Sequence, residues 1–581
     1  MRRAVLGALA LLFLLPALAS GHAERATFYP DHDKGSVPRR DTGRPDEVVC
    51  KASSKRRIKR AFSGRRERSR LRLLGRCRFQ NIQAAVNAAS SGDRIAVMPG
   101  LYRELPSRAV PVNDPKCAAD KYWESSGDQH QADGRVPTFL HQYDCPNARN
   151  LVAVIGDSLD EDRVCDHLCH LTIEGFGKRP RDVVVQGDRK KPDVIRADRA
   201  DGFQLRNLTA EQGAYNDIDL VETNGFRLDR LLARWASHYG ILTFTTDNGI
   251  YDHITAYGSG DSGVYPGSGP ERHCADYGIQ VRHVNAYGNV LAGSGTAGNG
   301  TWWHDNHFHD NGAGIANDSF APGHPGMPQD CSKWTNNRIH SNNRNFFTPE
   351  HQADCIATPF EKRRKTVVCP AFEVVVGVAF MFYGVNDNVI AHNYIYDQHR
   401  NGIRQFHVPA ALRGDYSPAH ANDSSHGNHY TDNWFGVRPD GTPDRNGIDV
   451  YWDEQGLRNC WQANHTAPGV ALTSDPATLP TCADGGSLDP VGNAAKLAQD
   501  VPCVTWNPQT NPNPAGCDWF TTPEDPGDER SGPFAFGAPE PFAGTAAPVA
   551  APGESAHGGL AWDGEPTLIR PARLPDDRIL A

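Results

Sequence analysis

The chain has 581 residues and a formal net charge of −9, with 39% hydrophobic residues, 56 glycines, 42 prolines and 4 methionines. That length holds one large domain or several ordinary ones, and the glycine and proline content marks a turn-rich, helix-poor chain. After the first residues no stretch approaches about 18 consecutive apolar residues, which excludes a bundle of membrane-spanning helices.

In chain order, Arg2 and Arg3 precede an apolar run from Leu6 to Leu18 and the small residues Ala19, Ser20 and Ala23. This is the layout of a cleaved secretory signal over residues 1–23, with a retained signal anchor as the alternative. A secreted, extracellular or cell-surface location follows. The 14 cysteines are then expected in disulfides rather than free or on metal. They gather at Cys50–Cys169 and Cys460–Cys517, with Cys274, Cys331, Cys355 and Cys369 between, as staples of caps and loops whose pairing stays open.

Residues 24–78 read as a variable lead-in. Between Lys51 and Arg78 stand thirteen Lys or Arg residues and one acid, Glu67. Such a run can attract nucleic acid, anionic lipid or an acidic polysaccharide. With Phe62 as the one aromatic residue in the run, a solvated linker or amphipathic cap is the expectation, and nucleic acid is not expected as a partner.

The pattern sharpens at Phe79. Ile82, Ala85, Val86 and Ala89 recur at helical spacing, predicting a short amphipathic helix. Ser91-Gly92-Asp93 turns the chain, Arg94–Met98 reads as a strand, and Pro99-Gly100 ends it before Tyr102. The run from Ile82-Gln83-Ala84-Ala85-Val86 through Gly92-Asp93, Ile95-Ala96-Val97, Pro99-Gly100 and Tyr102 resembles the opening of pectate-lyase-like right-handed parallel β-helix proteins. The resemblance implies an all-β, single-stranded parallel coil whose first helix caps open strand edges.

After an irregular insertion at 103–149, short strands return at Leu151–Ile155, Leu171–Ile173 and Val183–Val185. A repeat is then plain: Gly202–Leu208, Gly225–Leu231, Asn248–Ile254 and Gly278–Val284 begin 23, 23 and 30 residues apart. Weaker copies centre on Phe308, Ile339, Tyr394-Ile395 and Trp434. A second series runs through Gly240-Ile241, Gly263-Val264, Gly314-Ile315, Gly402-Ile403 and Gly447-Ile448. Glycine and asparagine suit the left-handed corners of stacked rungs. The leucine template of leucine-rich repeats and the blade signatures of propellers are absent. A β-sandwich would use the Asn-Gly pairs as hairpins but leaves the spacing unexplained. The coil is expected over 79–460, a cysteine-bearing cap or loops over 461–520, and a Pro/Ala/Gly-rich tail over 521–581.

Aligned repeats put Asn207, Arg230, His253, His283, His307 and Arg338 in one column. The column before it holds Arg206, Asp229, Asp252, Arg282, Asn306 and Asn337. Period-two alternation sends one column inward and the other outward. Histidine and carboxylate in reach of one another suit proton transfer. His253 and His283 are the candidate catalytic groups, with Asp252 and Asp261 as orienting or acidic partners and Tyr265 as a second proton donor. His238, Tyr239, Arg230, Arg282 and His307 are candidate substrate contacts, since aromatic faces pack on sugar rings and cations hold acidic groups. His304, Asp305, His307 and His309 form the densest ligand-like cluster, although alternation should divide them between faces. Backbone hydrogen bonding at corners is the alternative role for all these polar residues. Cys165 and Cys169 of Cys165-Asp166-His167-Leu168-Cys169-His170 are spaced one residue too wide for haem attachment. Zinc ligation there is conceivable, and a disulfide is the expectation.

The resemblance implies a secreted carbohydrate-active protein, a lyase or epimerase acting on an extracellular acidic polysaccharide, with calcium as a possible cofactor. Departures from the family stand beside it. The calcium carboxylates are unmatched, Thr245-Thr246-Asp247 is a fragment of a polygalacturonase motif, and the Asp-Pro-His-Asp of alginate epimerases is missing. A non-catalytic polysaccharide-binding or structural surface protein is the alternative.

Overall fold

The computed structural model describes residues 27–103, 139–156 and 164–488 except 273, 275, 321–323 and 373, together with 492–493, 495–496 and 522–526. The signal expected at 1–23, much of the 103–149 insertion and nearly all of the tail from 521 lie outside the described residues. The chain winds as a right-handed parallel β-helix. Three long parallel sheets line it: sheet A of 12 strands, sheet B of 10 and sheet C of 11. One turn of the coil runs through Asn224–Asp229 in A, Leu232–Arg234 in B and Ile241–Phe244 in C, and Asp247–Asp252 begins the next.

Stacking in register explains why such short strands hold. Leu205, Leu228, Tyr251, Val281, Trp303 and Trp334 follow one another up the inside of sheet A, all fully buried. On sheet B the inward column is Ala210, Ala233, Ala256 and Ala286, and then Phe308, Ile339, Ile395 and Phe435. The weaker repeats centred on Phe308, Ile339, Tyr394-Ile395 and Trp434 therefore belong to sheet B, whereas the strong copies belong to sheet A.

That distinction corrects the expected columns. His307 pairs with Asn285 and Arg338, on sheet B, so neither His307 nor Arg338 continues the His253–His283 line. Asp305 does, and Asn306 takes the inward place held earlier by Leu208, Leu231, Ile254 and Val284. From there an asparagine ladder replaces the aliphatic one. Asn306 Nδ2 donates to Asn337 Oδ1, Asn337 to Asn393, and Asn393 to Asn433, each at 2.9 Å. The sequence pattern slips by two because the apolar residue at this position has become an amide.

The coil opens earlier than residue 79. Glu47–Val49 is the first strand of sheet A and pairs with Arg94–Val97, and two helices, α1 (Ser54–Ala61) and α2 (Gly64–Leu74), are inserted between them. The predicted capping helix, α3 (Ile82–Val86), buries Ile82, Ala85 and Val86 on the core. At the other end Ser474–Asp475 still pairs with the strand Ile448–Trp452.

Five disulfides join Cys50 to Cys77, Cys165 to Cys169, Cys274 to Cys331, Cys355 to Cys369 and Cys460 to Cys482 among the described residues. They close loops and caps, and the haem-like Cys165–Cys169 segment is one of them. No helix among the described residues is long and apolar enough to cross a membrane.

Replacing Asn337 with Leu should destabilise the coil although leucine fits this place in earlier rungs. Asn337 Oδ1 accepts from the Asn306 backbone N–H at 3.2 Å and its amide donates to Trp303 O at 2.9 Å. Each buried group left unpaired costs ~1–3 kcal/mol, so urea unfolding should move to lower denaturant. An unchanged midpoint would count against the ladder as a stabilising element.

Candidate functional site

Between sheets A and B the chain turns on a single residue in the left-handed region. Asn207, Arg230, His253, His283 and Asp305 all occupy it, with φ between 50° and 56°. A residue there breaks period-two alternation, because the corner rotates the following strand onto a new face. The residue before the corner and the corner residue both stay outside, and the residue after it, such as Ile254 or Val284, points in. As far as Arg282 and His283 the two aligned columns are thus both external, contrary to the expectation that one faces the core, while Asn306 and Asn337 point inward. Successive members lie one strand spacing apart, ~4.8 Å, and form a ridge along the coil.

On this ridge Asp252 is the centre. Its Oδ1 accepts from His253 Nδ1 at 2.7 Å and from His283 Nδ1 at 2.9 Å, and its Oδ2 accepts from Arg282 Nη2 at 2.9 Å. The two imidazole rings lie 4.5 Å apart, tilted by 42°. Burial opposes ionisation of Asp252, but the hydrogen bonds from His253, His283 and Arg282 outweigh it and hold the carboxyl well below the usual range. Asp252 is only 5% exposed, whereas the side chains of His253 and His283 are 38% and 28% exposed. A carboxylate that takes the Nδ1 proton of an imidazole leaves Nε2 as the basic nitrogen.

The neighbouring rungs extend the ridge with charge. Arg230 occupies the corner before His253. Beyond Arg282 the outward column of sheet A continues with His304, whose Nδ1 lies 2.8 Å from Asp305 and whose ring lies 4.2 Å from Trp302. On the other side Asp229, the partner of Asp252 in register, is buried between Arg206 at 2.9 Å and Arg40 at 2.5 Å.

Arg40 belongs to a strap that sequence reasoning passed over as lead-in. Residues 31–43 cross the outer face of sheet A. Asn224 Nδ2 donates to Asp31 O at 2.6 Å, Arg227 Nε to Pro38 O at 3.0 Å and Gln204 Nε2 to Arg39 O at 3.0 Å. Gly225, with φ 82°, accommodates the strap: a Cβ there would sit 2.5 Å from Ser36 O.

The other candidates lie elsewhere. Tyr239 and Tyr265 are buried with Tyr215, Val221, Leu242 and Phe244 on sheet C, and His238 stacks on Tyr215 at 3.9 Å. Asp261 accepts from Ser262 Oγ at 2.6 Å. Burial raises the Asp261 carboxyl and the Tyr265 phenol well above their usual ranges. The structure does not bring this group to the Asp252 corner. The suggested metal cluster is also divided: His304 is on sheet A, while His307 and His309 share the outer face of sheet B. Their partners are hydrogen-bonding ones, with His309 Nδ1 2.6 Å from Asp310 and His307 Nε2 2.8 Å from His340 Nε2.

On sheet B a stack of rings runs through Tyr257, Tyr287, His309, His340 and Tyr396, with centroids 4.7–5.4 Å apart and planes within 19°. Burial pushes the His340 imidazole well below its usual range and the Tyr396 phenol up to about 12. This stack was legible: each ring directly follows a member of the Ala256–Ile395 inward column.

Asp252, His253 and His283 bring donor atoms within 4.8 Å of one another. One carboxylate, two imidazoles and an adjoining guanidinium do not fit calcium, which takes six to eight oxygen ligands. Imidazole-binding transition metals would suit the donors better, but Arg282 already supplies the cation at Asp252. A second such cluster among the described residues, Cys274, Asp330 and Cys331, has its two cysteines joined in a disulfide.

Fold and ridge together define a right-handed parallel β-helix with a polar corner along sheets A and B. No protein-family model and no curated protein sequence matches the chain. Among solved structures it is similar to ORF18 of Geobacillus virus E2 (9% identity, TM-score 0.29), over 67% of this chain and 55% of the viral one. It is also similar to the A-module of the Azotobacter vinelandii mannuronan C-5 epimerase AlgE4 (12%, 0.33), over 68% of this chain and 92% of the module. Pectate lyase Pel9A (10%, 0.30) matches over 70% of this chain and 76% of its own. The match thus spans about half of the viral protein.

The sign of the Asp252 contribution is testable. A depressed carboxyl stabilises the folded state above the unfolded pKa of ~3.9 and loses that contribution as pH falls through the folded value. Asp252→Asn should therefore lower the melting temperature at pH 7. Its deficit should shrink steadily below about pH 4. A deficit that grows on acidification would contradict the assignment.

Proposed function

We propose that this chain is an extracellular carbohydrate-active β-helix protein acting on an extended acidic polysaccharide, with the Asp252–His253–His283 corner as its proton-transfer site. The observation that carries the reading is a single ionised carboxylate shared by two adjacent, partly exposed imidazoles. Arg230 and Arg282 flank them as cations able to hold a uronate carboxylate. The disulfides favour an oxidising compartment.

The chemistry is an elimination. One imidazole Nε2 removes the ring proton beside the uronate carboxylate. The electron pair freed from that C–H bond forms the ring double bond as the adjacent C–O glycosidic bond breaks. The second imidazole, protonated, gives its proton to the departing oxygen. Arg230 or Arg282 balances the charge that builds on the uronate carboxylate, a role in which the donor set calls for no calcium. Two imidazoles side by side on one ridge serve removal and delivery of protons on the same face of the sugar. Return of a proton to the opposite face of that ring carbon, without cleavage, would be epimerisation and needs a donor on the other side of the sugar.

His283→Ala should cut formation of unsaturated uronate ends on the order of 10²–10⁴-fold, with a fall in melting temperature no larger than that of Asp252→Asn. Added chelator should leave the parent rate unchanged. Ultraviolet assay on pectate, alginate and glucuronan checks both. A parent protein that forms no unsaturated ends and no inverted sugars on any of these would sink the catalytic reading.

A non-catalytic polysaccharide-binding role is the second reading, and the ring stack on sheet B favours it. Glycan binding abolished by Tyr287→Ala but untouched by His283→Ala, without product, would support it.

A further inference from the structure

The basic run of the lead-in is not absorbed by the site. In the structure it forms a helical hairpin, α1 and α2, whose apolar side is spent on the coil. Ile58 is fully buried with Val48, Ala96, Met98 and Phe176, and Phe62, Leu71, Leu73 and Leu74 pack against them. The Cys50–Cys77 disulfide closes its base. Val48 and Ala96 are outward residues of sheet A, so the hairpin sits on the same face as the strap and Asp252.

What remains outside is a cationic surface. Arg56, Arg57, Lys59, Arg60, Arg65 and Arg66 are exposed, and none has a salt-bridge partner among the described residues, whereas Arg78 pairs with Glu47 at 2.9 Å. Lys55 and Lys59, Arg56 and Arg60, and Arg68 and Arg72 are like charges four apart on their helices, a spacing that costs helix stability. A cap whose task was only to cover Val48, Ala96 and Phe176 would need Ile58 and the leucines, not this charge.

We propose that the α1–α2 hairpin is a docking surface for an acidic polysaccharide chain, which enters sheet A at this end. Two features of the hairpin favour a polysaccharide over other polyanions. Its apolar residues face the coil and so offer nothing to insert into a lipid surface, and its exposed face carries no aromatic ring for base stacking. The hairpin and the Asp252 corner share the outer face of sheet A, and the strap that lies on the rungs between them presents the exposed Arg39 and Arg40. From the strand Arg94–Val97 to the strand Asp247–Asp252 is four steps in sheet A, ~19 Å at the strand spacing, a distance one extended chain spans. The surface rests on the proposed substrate class but not on the catalytic step.

The test is binding of long-chain polygalacturonate and alginate to the full chain at low and high salt. The comparison variant carries R56Q, R57Q, K59Q, R60Q, R65Q and R66Q. The parent should bind with an affinity that falls at least about tenfold as the salt is raised through the Debye-screening range. The Gln variant should bind at least tenfold more weakly at low salt with an unchanged melting temperature, and a variant with the same arginines changed to Lys should bind like the parent. Equal binding by the Gln variant would overturn the proposal. So would tighter binding of duplex DNA, or of vesicles containing phosphatidylserine, than of either polyuronate. Hairpin-dependent binding by a parent that forms no product would support this surface while removing the catalytic reading.

Discussion

Parallel strands stacked at ~4.8 Å set the terms for everything else in this molecule. Once a rung lies on its predecessor in register, each side chain meets the same position of the next rung. Inward positions become continuous apolar columns, such as Leu228, Tyr251, Val281 and Trp303. Inward amides become ladders in which each carboxamide satisfies its neighbour. Neither arrangement is stable in an isolated rung, so the coil owes its order to repetition.

The same stacking makes the polar corner. A single left-handed residue between sheets A and B places Arg230, His253, His283 and Asp305 at one strand spacing from each other. The outward column beside them holds Asp229, Asp252, Arg282 and His304. An acid beside one imidazole and one rung below another can share one oxygen with both, and that sharing keeps it ionised despite its burial. One rung earlier the equivalent acid, Asp229, has met Arg40 of the strap and Arg206. Two chemically similar positions thus differ in access because a segment remote in sequence covers one and not the other.

The end of the coil shows how a fold's needs and its surface can be separated. Open strand edges and the outward apolar residues Val48 and Ala96 require a cover. Ile58, Leu71 and their neighbours supply it, and the disulfide holds the base of the hairpin. The cations of the same helices contribute nothing to that cover and repel one another. They also lie on the face that carries Asp252, with the strap between the two regions.

Much of this was determined by sequence alone. The capping helix at Ile82–Val86, the strands, the repeats of 23 to 30 residues and the alignment of Asp252 with Arg282 in one column were legible because stacked rungs repeat their pattern locally. His253 and His283 could be aligned for the same reason. The repeat failed where its chemistry changed. Asn306 replaced an aliphatic residue at the inward corner, so the alignment slipped and drew His307 and Arg338 into the wrong column. The left-handed corner also defeated period-two alternation, which assumes an unbroken strand. Only the tertiary structure decided which polar groups meet: it set Asp252 between two histidines, sent Asp261 and Tyr265 to sheet C, and laid Arg40 on Asp229. Those contacts depend on how consecutive sheets turn and on which distant segment packs over them, and no local periodicity encodes either.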